Sequence, residues 1–463
     1  MTHSIAKIFQ TRRGDNFALH DRFLNSQMVK VLKTIGYDRV YTKAEGPYLY
    51  DDQGNQYLDL LSGFGVFALG RNHPTVKAAL QEVLTSDLPD LVQMDVSLLA
   101  GLLAEKLVQA TPEPLTRVFF CNSGAEAVEA AIKFARYTTG RSRILYCEHA
   151  FHGLTLGALS LNGEEIFRQG FGPLLPDCVP IPFNDLAALE QALAEQPTAA
   201  FIVEPIQGKG VNLPADDYLP EAARLCRKYG ALLVADEVQT GLGRTGRLWA
   251  VEHWGVEPDM LLIAKALSGG FVPVGAVVMT AQIMDKVFNR MDRAVVHGST
   301  FAKNNLAMAA GLATLTVLEE ENLIANAAQQ GEALLDGLRP LVAKYEFFRE
   351  IRGKGLMLAL EFGKPHSLKL KTAWNLLEAA NKGLFSQMVT IPLFKRHRIL
   401  SQVAGHGMNV VKFLPPLVIT SQDVAWIIAA CDAVLADCHQ VPGAIWDLGK
   451  TLAGHALKAR KTA

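Results

Sequence analysis

From about residue 75 to residue 325, short runs of Val, Ile, Leu and Ala alternate with stretches of helical periodicity. The apolar runs cover 118–121, 144–147, 200–203, 232–235, 261–264 and 274–280, and the helical ones 125–138, 186–195 and 218–229. Near-continuous apolar runs are the mark of strands covered on both faces. Their alternation with helices predicts a mostly parallel sheet with right-handed crossovers, an α/β architecture. Upstream, residues 1–45 read as an irregular or helical arm. Residues 46–59 read as a hairpin, with two alternating runs around Asp52-Gln53-Gly54-Asn55. Beyond about 325 the pattern changes to a long helix over 324–345, a strand over 356–362, a helical run over 372–387 and a last helix over 422–435. That reads as a smaller α+β domain.

Composition narrows the class. The chain of 463 residues is 49% hydrophobic and 20% charged, which excludes a disordered or collagen-like chain. Lys plus Arg is 45 against 46 for Asp plus Glu, a net charge of −1. Such a balance predicts no nucleic-acid partner and no anionic membrane surface. No apolar run approaches the roughly 20 residues of a membrane helix. The polar start is not read as a secretory signal, and six cysteines without CxxC spacing fit a reducing, cytoplasmic setting.

A parallel sheet binds ligands beyond the carboxyl ends of its strands, so chemistry is sought there. After the first run come Ser123, Gly124 and Ala125 at a helix start, where free N–H groups favour a phosphate; an ordinary serine cap and glycine turn explain the same residues. After the second come His149, Phe151 and His152. The histidines lack a carboxylate partner at ligand spacing, so no metal is expected. Phe151 suits either a stacked planar ring or the core. Glu204 and Asp236 follow the third and fourth runs, where a buried acid needs a cationic partner, unless both are solvated loop acids. Lys265 follows the fifth, flanked by apolar and glycine-rich sequence. Burial makes such an amine nucleophilic and suits Schiff-base chemistry; a surface lysine is the plainer account. Gly298-Ser299-Thr300-Phe301 is expected to open a further helix and offer a second phosphate contact.

Gly241-Leu242-Gly243-Arg244-Thr245-Gly246 matches GxGxxG, but four strands precede it and no helix signature follows. A nicotinamide dehydrogenase is therefore only a remote alternative. A phosphate nest, an aromatic, an acid and a lysine at successive strand ends together suit pyridoxal phosphate.

Over residues 46–420 the sequence resembles the class III aminotransferases, the ornithine, acetylornithine and putrescine aminotransferase group. The likeness rests on NSGAEAVEAAIKFAR, AFHG, VEPIQG, LLVADEVQTGLGRTGRLWA, the 264–270 lysine segment, HGSTF and FLPPLVIT. It implies a fold-type I pyridoxal-phosphate transferase with a mostly parallel central sheet, helices on both faces and a smaller α+β domain. The expected division is 1–75 (arm and hairpin, part of the small domain), 76–325 (large cofactor-binding domain) and 326–463 (small domain). The resemblance also implies a homodimer with shared active sites. Lys265 would carry the cofactor as a Schiff base and shuttle the proton, and Asp236 would hold the ring nitrogen protonated. Phe151 and Val238 would cover the ring faces, and Gln239 would reach the ring hydroxyl. Ser123, Gly124 and Ala125 would bind the phosphate, and Thr300 that of the second subunit. Glu204 and His152 would complete the cofactor surroundings.

Three departures touch the substrate pocket. Amino-acid-specific members carry an arginine where Leu154 stands, often another where Lys412 stands, and a Gly-Glu pair where this chain has Gly208-Lys209, one residue short. Phe64, Phe67 and Phe301 flank segments that line the pocket mouth in similar enzymes. The expectation is a transaminase passing an amino group from a terminal, partly apolar primary amine to an oxo acid or aldehyde in a ping-pong cycle, with Lys412 on the acceptor carboxylate. An ornithine or acetylornithine aminotransferase using 2-oxoglutarate, with Arg352 as the carboxylate clamp, is the alternative. A catalytically idle homologue is the reading from another class.

Overall fold

The computed structural model describes residues 4–90, 92, 94 and 96–462, so the first three residues of the N-terminal arm lie outside it. Its centre is a seven-stranded sheet of β1 (Leu115–Cys121), β2 (Arg143–Cys147), β3 (Cys178–Ile181), β4 (Thr198–Val203), β5 (Leu232–Asp236), β6 (Met260–Ile263) and β7 (Gly275–Thr280), in the order β1-β7-β6-β5-β4-β2-β3. β6, β5, β4, β2 and β3 run parallel, while β7 is antiparallel to both β1 and β6. The link from β6 to β7 holds a single 3-10 turn, Lys265–Ser268, too little chain for the crossover a parallel pair requires. Every residue of β2, β4 and β6 is buried, which is why these strands are apolar without alternation.

β3 is the strand the hydrophobic pattern does not reveal. It is an edge strand, half exposed, and it carries Pro180, which an edge tolerates. Helix α1 (Gly124–Thr139) buries Ala127, Val128, Ala130, Ala131, Ile132, Phe134 and Ala135 in the core cluster that includes the sheet. Ser123 caps it by accepting the Glu126 N–H at 3.2 Å, and Gly140 ends it in the left-handed conformation.

The C-terminal part forms an antiparallel sheet of Phe348–Lys354, Met357–Phe362, Val410–Phe413 and Gln402–Val403. The hairpin Tyr48–Asp51 and Gln56–Asp59 pairs with Tyr41–Glu45 and, in parallel, with Ile399–Leu400. The N-terminal arm is three helices, Ile5–Thr11, Asn16–Phe23 and Ser26–Ile35, and its last residues, expected to be irregular or helical, are the strand Tyr41–Glu45. Two expectations need correction. The helical run over 372–387 is two helices, Leu368–Ala380 and Leu384–His397, because Asn381 is extended and Gly383 takes φ +80°. The segment at Thr300 does not open a helix: Asn304 caps the helix Asn305–Glu320 by accepting the Ala307 N–H at 2.9 Å, so residues 300–303 remain a turn.

The GxGxxG run is likewise a turn. Its glycines allow close packing: a Cβ on Gly246 would lie 2.9 Å from the Ala328 Cβ, and one on Gly243 would lie 3.0 Å from Leu417 Cδ1; Gly355 packs against the run in turn, a Cβ there lying 2.3 Å from the Thr245 carbonyl carbon. The buried Arg244 donates to the carbonyls of Leu356 (3.0 Å) and Pro415, tying the two parts of the chain together. A packing device, and no helix N-terminus, explains the motif.

Candidate active site

Strand ends make the site. β1, β2, β4, β5 and β6 deliver their carboxyl ends, and antiparallel β7 its start, to one cavity of about 950 Å³. Lining it are Ser123, Gly124 and Ala125 after β1, Phe151 and His152 after β2, and Glu204, Gly208 and Lys209 after β4. Asp236 ends β5 and Val238 and Gln239 follow it, Lys265 follows β6, and Phe271 to Val274 precede β7. Phe64 enters from the N-terminal segment, and Lys412 from the strand Val410–Phe413 of the antiparallel sheet.

Asp236 is buried, and its Oδ2 accepts from the His152 imidazole at 2.7 Å while Oδ1 accepts the Val238 N–H at 3.0 Å. Burial acts to lower the His152 pKa, but the hydrogen bond and charge of Asp236 outweigh it and the net direction is upward. The other ring nitrogen, Nε2, is buried without a hydrogen-bond partner. Glu237, next along the chain, points elsewhere: it accepts from the Val251 N–H at 2.8 Å and the Thr240 hydroxyl, and burial pushes it up to about 7. Strand alternation thus decides which of two adjacent acids meets the cavity.

Glu204 accepts the Phe151 N–H at 2.9 Å and the Gly208 N–H at 2.7 Å. Burial raises its pKa; His152 acts against that and Asp236 adds to it. Lys265 starts its 3-10 turn with φ +43°, a strained value for a side chain of this size. Burial lowers its pKa, with Asp236 and Glu204 acting in the opposite direction. Lys412 is buried and donates to the Gly208 carbonyl at 2.6 Å and to Gln239 Oε1 at 3.2 Å. Gln239 Nε2 in turn donates to the Phe64 carbonyl at 2.9 Å. Burial, reinforced by the Lys265 cation, holds Lys412 down to about 7.

The nest after β1 is tight. A Cβ on Gly124 would meet Val238 Cγ1 at 2.8 Å, and one on Gly275 would meet the Ser123 carbonyl at 2.7 Å. Only residues without side chains let helix α1, the β5 loop and β7 approach this closely. Asn122, just ahead of the nest, donates from its side chain to Ser299 Oγ at 2.6 Å and ties the 298–301 segment to it. Leu154, Thr300 and Phe301 do not line the cavity; all three are exposed on this chain. Phe67 lies under the Arg71 guanidinium, 3.8 Å from its ring centroid, and is also absent from the lining. Phe167, on the short helix Glu165–Arg168, does line it and meets Phe151 edge-on at 5.7 Å. No periodicity or motif marks Phe167 in the sequence.

Among the described residues the cavity lining contains no arginine. Arg352 is committed elsewhere, to the carbonyls of Gly210 (2.8 Å) and Val211 (3.0 Å) and to Glu361 and Glu350. No group of three or more His, Cys, Asp or Glu is placed to hold a metal among the described residues, and no helix there is long and apolar enough to cross a membrane.

The family pattern described as Aminotransferase class-III matches residues 33–435. The chain belongs to the class III aminotransferases. Pyridoxal phosphate is the cofactor of that family, and the fold is that of the fold-type I enzymes that use it. The aminotransferase PigE of a Serratia sp. is 35% identical over 450 residues, which cover 90% of this chain and 53% of PigE. The chain therefore spans about half the length of that curated relative. Among solved structures, the ornithine aminotransferase of Toxoplasma gondii superposes with a TM-score of 0.81 at 32% identity, covering 93% of this chain and 97% of that one. An amine transaminase from an uncultivated Pseudomonas species, in its PLP-bound form, gives 0.75 at 30% identity, covering 86% and 95%.

Proposed function

We propose that this chain is a pyridoxal-phosphate transaminase that takes the amino group of a terminal, mainly apolar primary amine and passes it to an oxo acid in a ping-pong cycle. The observation that carries the reading is the lining itself: the acid, lysine and glycine nest of a pyridoxal-phosphate site, beside Phe64, Phe167 and Phe271 and without an arginine.

The residues present fit the cofactor. The first-turn N–H groups of α1, closed in by Gly124 and Gly275, suit a phosphate. Phe151 and Val238 suit the two faces of a planar ring, Asp236 its protonated nitrogen and Gln239 its hydroxyl. When bound, the cofactor supplies an electron sink conjugated to the amine carbon. Asp236, oriented by His152, places its carboxylate at one end of the cavity, where it would stabilise a protonated pyridine nitrogen. Lys265, its pKa lowered by burial, has an amine that both attacks a carbonyl carbon and carries a proton to and from the substrate carbon. Glu204 holds Phe151 and Gly208 in place through their N–H groups. Phe64, Phe167 and Phe271 offer apolar surface on the substrate side, where each methylene they cover would contribute about 0.8 kcal/mol. The exposed Thr300 is proposed to reach the phosphate held by a second copy, in a homodimer of the cytoplasm.

The test is kcat/KM for medium-chain alkyl amines against ornithine, acetylornithine and putrescine, with pyruvate or 2-oxoglutarate as acceptor. The alkyl amines are expected to win. A preference of more than about tenfold for ornithine or acetylornithine, worth about 1.4 kcal/mol, gives the site to the ornithine-type alternative, the reading favoured by the Toxoplasma gondii neighbour.

A further inference from the structure

Lys209 is an ammonium whose donors are unused. Its Nζ is buried and has no hydrogen-bond partner. It lies 4.0 Å from the centroid of Phe167 and 5.3 Å from that of Phe151, so two ring faces hold the cation without accepting its protons. The acids around it are already engaged: Glu204 by two backbone N–H groups, Glu164 by His149 at 3.3 Å. Among the described residues Lys209 makes no ion pair. A buried charge without a counter-charge is costly, and such groups are ordinarily paired.

The turn that presents Lys209 is pinned along its length. Gln207 N–H donates to the Asn212 carbonyl at 3.1 Å, and the Asn212 amide returns a bond to Gln207 Oε1 at 2.8 Å. Lys412 holds the Gly208 carbonyl, and Arg352 holds those of Gly210 and Val211. Gly210 and Val211 both take left-handed φ values, +77° and +50°, to close the turn. Lys412 and Arg352, the other cations nearby, thereby spend donors on the backbone that carries Lys209, and further ones on Gln239 and on Glu350 and Glu361.

We propose that Lys209 binds the carboxylate of the oxo acid co-substrate. The assignment rests on the transaminase reading, in which an apolar amine brings no anion and the oxo acid brings the only one. In the amine half of the cycle the same ammonium repels a second cationic group on the donor. Arg352 and Lys412 act as positioning residues for the turn.

Two measurements on the holoenzyme test this. Propionate, an unreactive carboxylate, is titrated calorimetrically, and KM is compared for pyruvate and for propanal, which lacks the carboxylate. Lys209→Met is expected to weaken propionate binding and raise the pyruvate KM about tenfold or more, while the propanal KM stays within about twofold, since a charge-assisted hydrogen bond is lost for the acids alone. Lys209→Arg should recover most of the acid affinity. Propionate bound equally well by wild type and Lys209→Met, or not bound by wild type, overturns the assignment. A wild-type protein that turns over no amine with any oxo acid defeats the transaminase reading instead, and the propionate titration still decides what Lys209 binds.

Discussion

Replacing Lys412 by methionine exchanges a buried ammonium for an uncharged side chain of similar reach. Lys412 is 4% exposed, and burial together with the nearby Lys265 cation lowers its pKa from 10.5 to about 7, Glu204 acting the other way. The unfolded chain therefore holds a proton that the folded protein resists. The cost is full below about pH 7, is relieved as pH rises, and vanishes above the unfolded value near 10.4. Between about pH 6 and pH 9 this linkage should return roughly 2–3 kcal/mol of stability to the wild type and none to Lys412→Met. The variant also strips a donor from the Gly208 carbonyl and from Gln239, at about 1–3 kcal/mol for each buried group left unpaired, an offset that does not depend on pH. The slope rather than the offset thus isolates the charge. Urea unfolding of the cofactor-free proteins at several pH values measures it. Lys412→Met should compare best with the wild type in acid and lose ground steadily towards pH 9. A stability gap constant to within about 0.5 kcal/mol over that range would mean that Lys412 titrates near its ordinary value and that the burial argument is wrong.

Asp236→Asn leaves His152 a neutral partner and removes the charge at that end of the cavity. The amine half-reaction, followed by loss of the visible cofactor band, should slow by about 10²-fold, and the His152 pKa should fall once burial is opposed by the Glu204 charge alone, which an NMR titration reads. An unchanged rate constant would show that another group holds the ring. Thr300 is exposed on this chain, so its proposed phosphate contact requires a second copy: sedimentation should find a dimer that loses cofactor on dilution, and an active monomer would contradict the shared site.

Apolar continuity along β2, β4 and β6, helix signals between them and chemistry-bearing residues directly after them were all legible in the chain, because burial on both faces writes itself into every position of a strand. Edge strand β3 was not, since a half-exposed strand with a proline leaves no such record. The cofactor-type residues at strand ends share a local cause: each lies at the carboxyl end of its strand or in the turn just after it, so its place along the chain is nearly its place in the site. Motif resemblance supplied their roles. The substrate side has no such local cause. Phe167 reaches the cavity from a short helix without periodicity, and Arg352 is withdrawn from it by carbonyls more than a hundred residues away in the chain. Lys209 and Lys412 look alike in the sequence. Only the packing of the antiparallel sheet against the 207–212 turn gives one of them two backbone and side-chain acceptors and leaves the other with none, because hydrogen-bond partners distant in sequence are chosen by the tertiary fold.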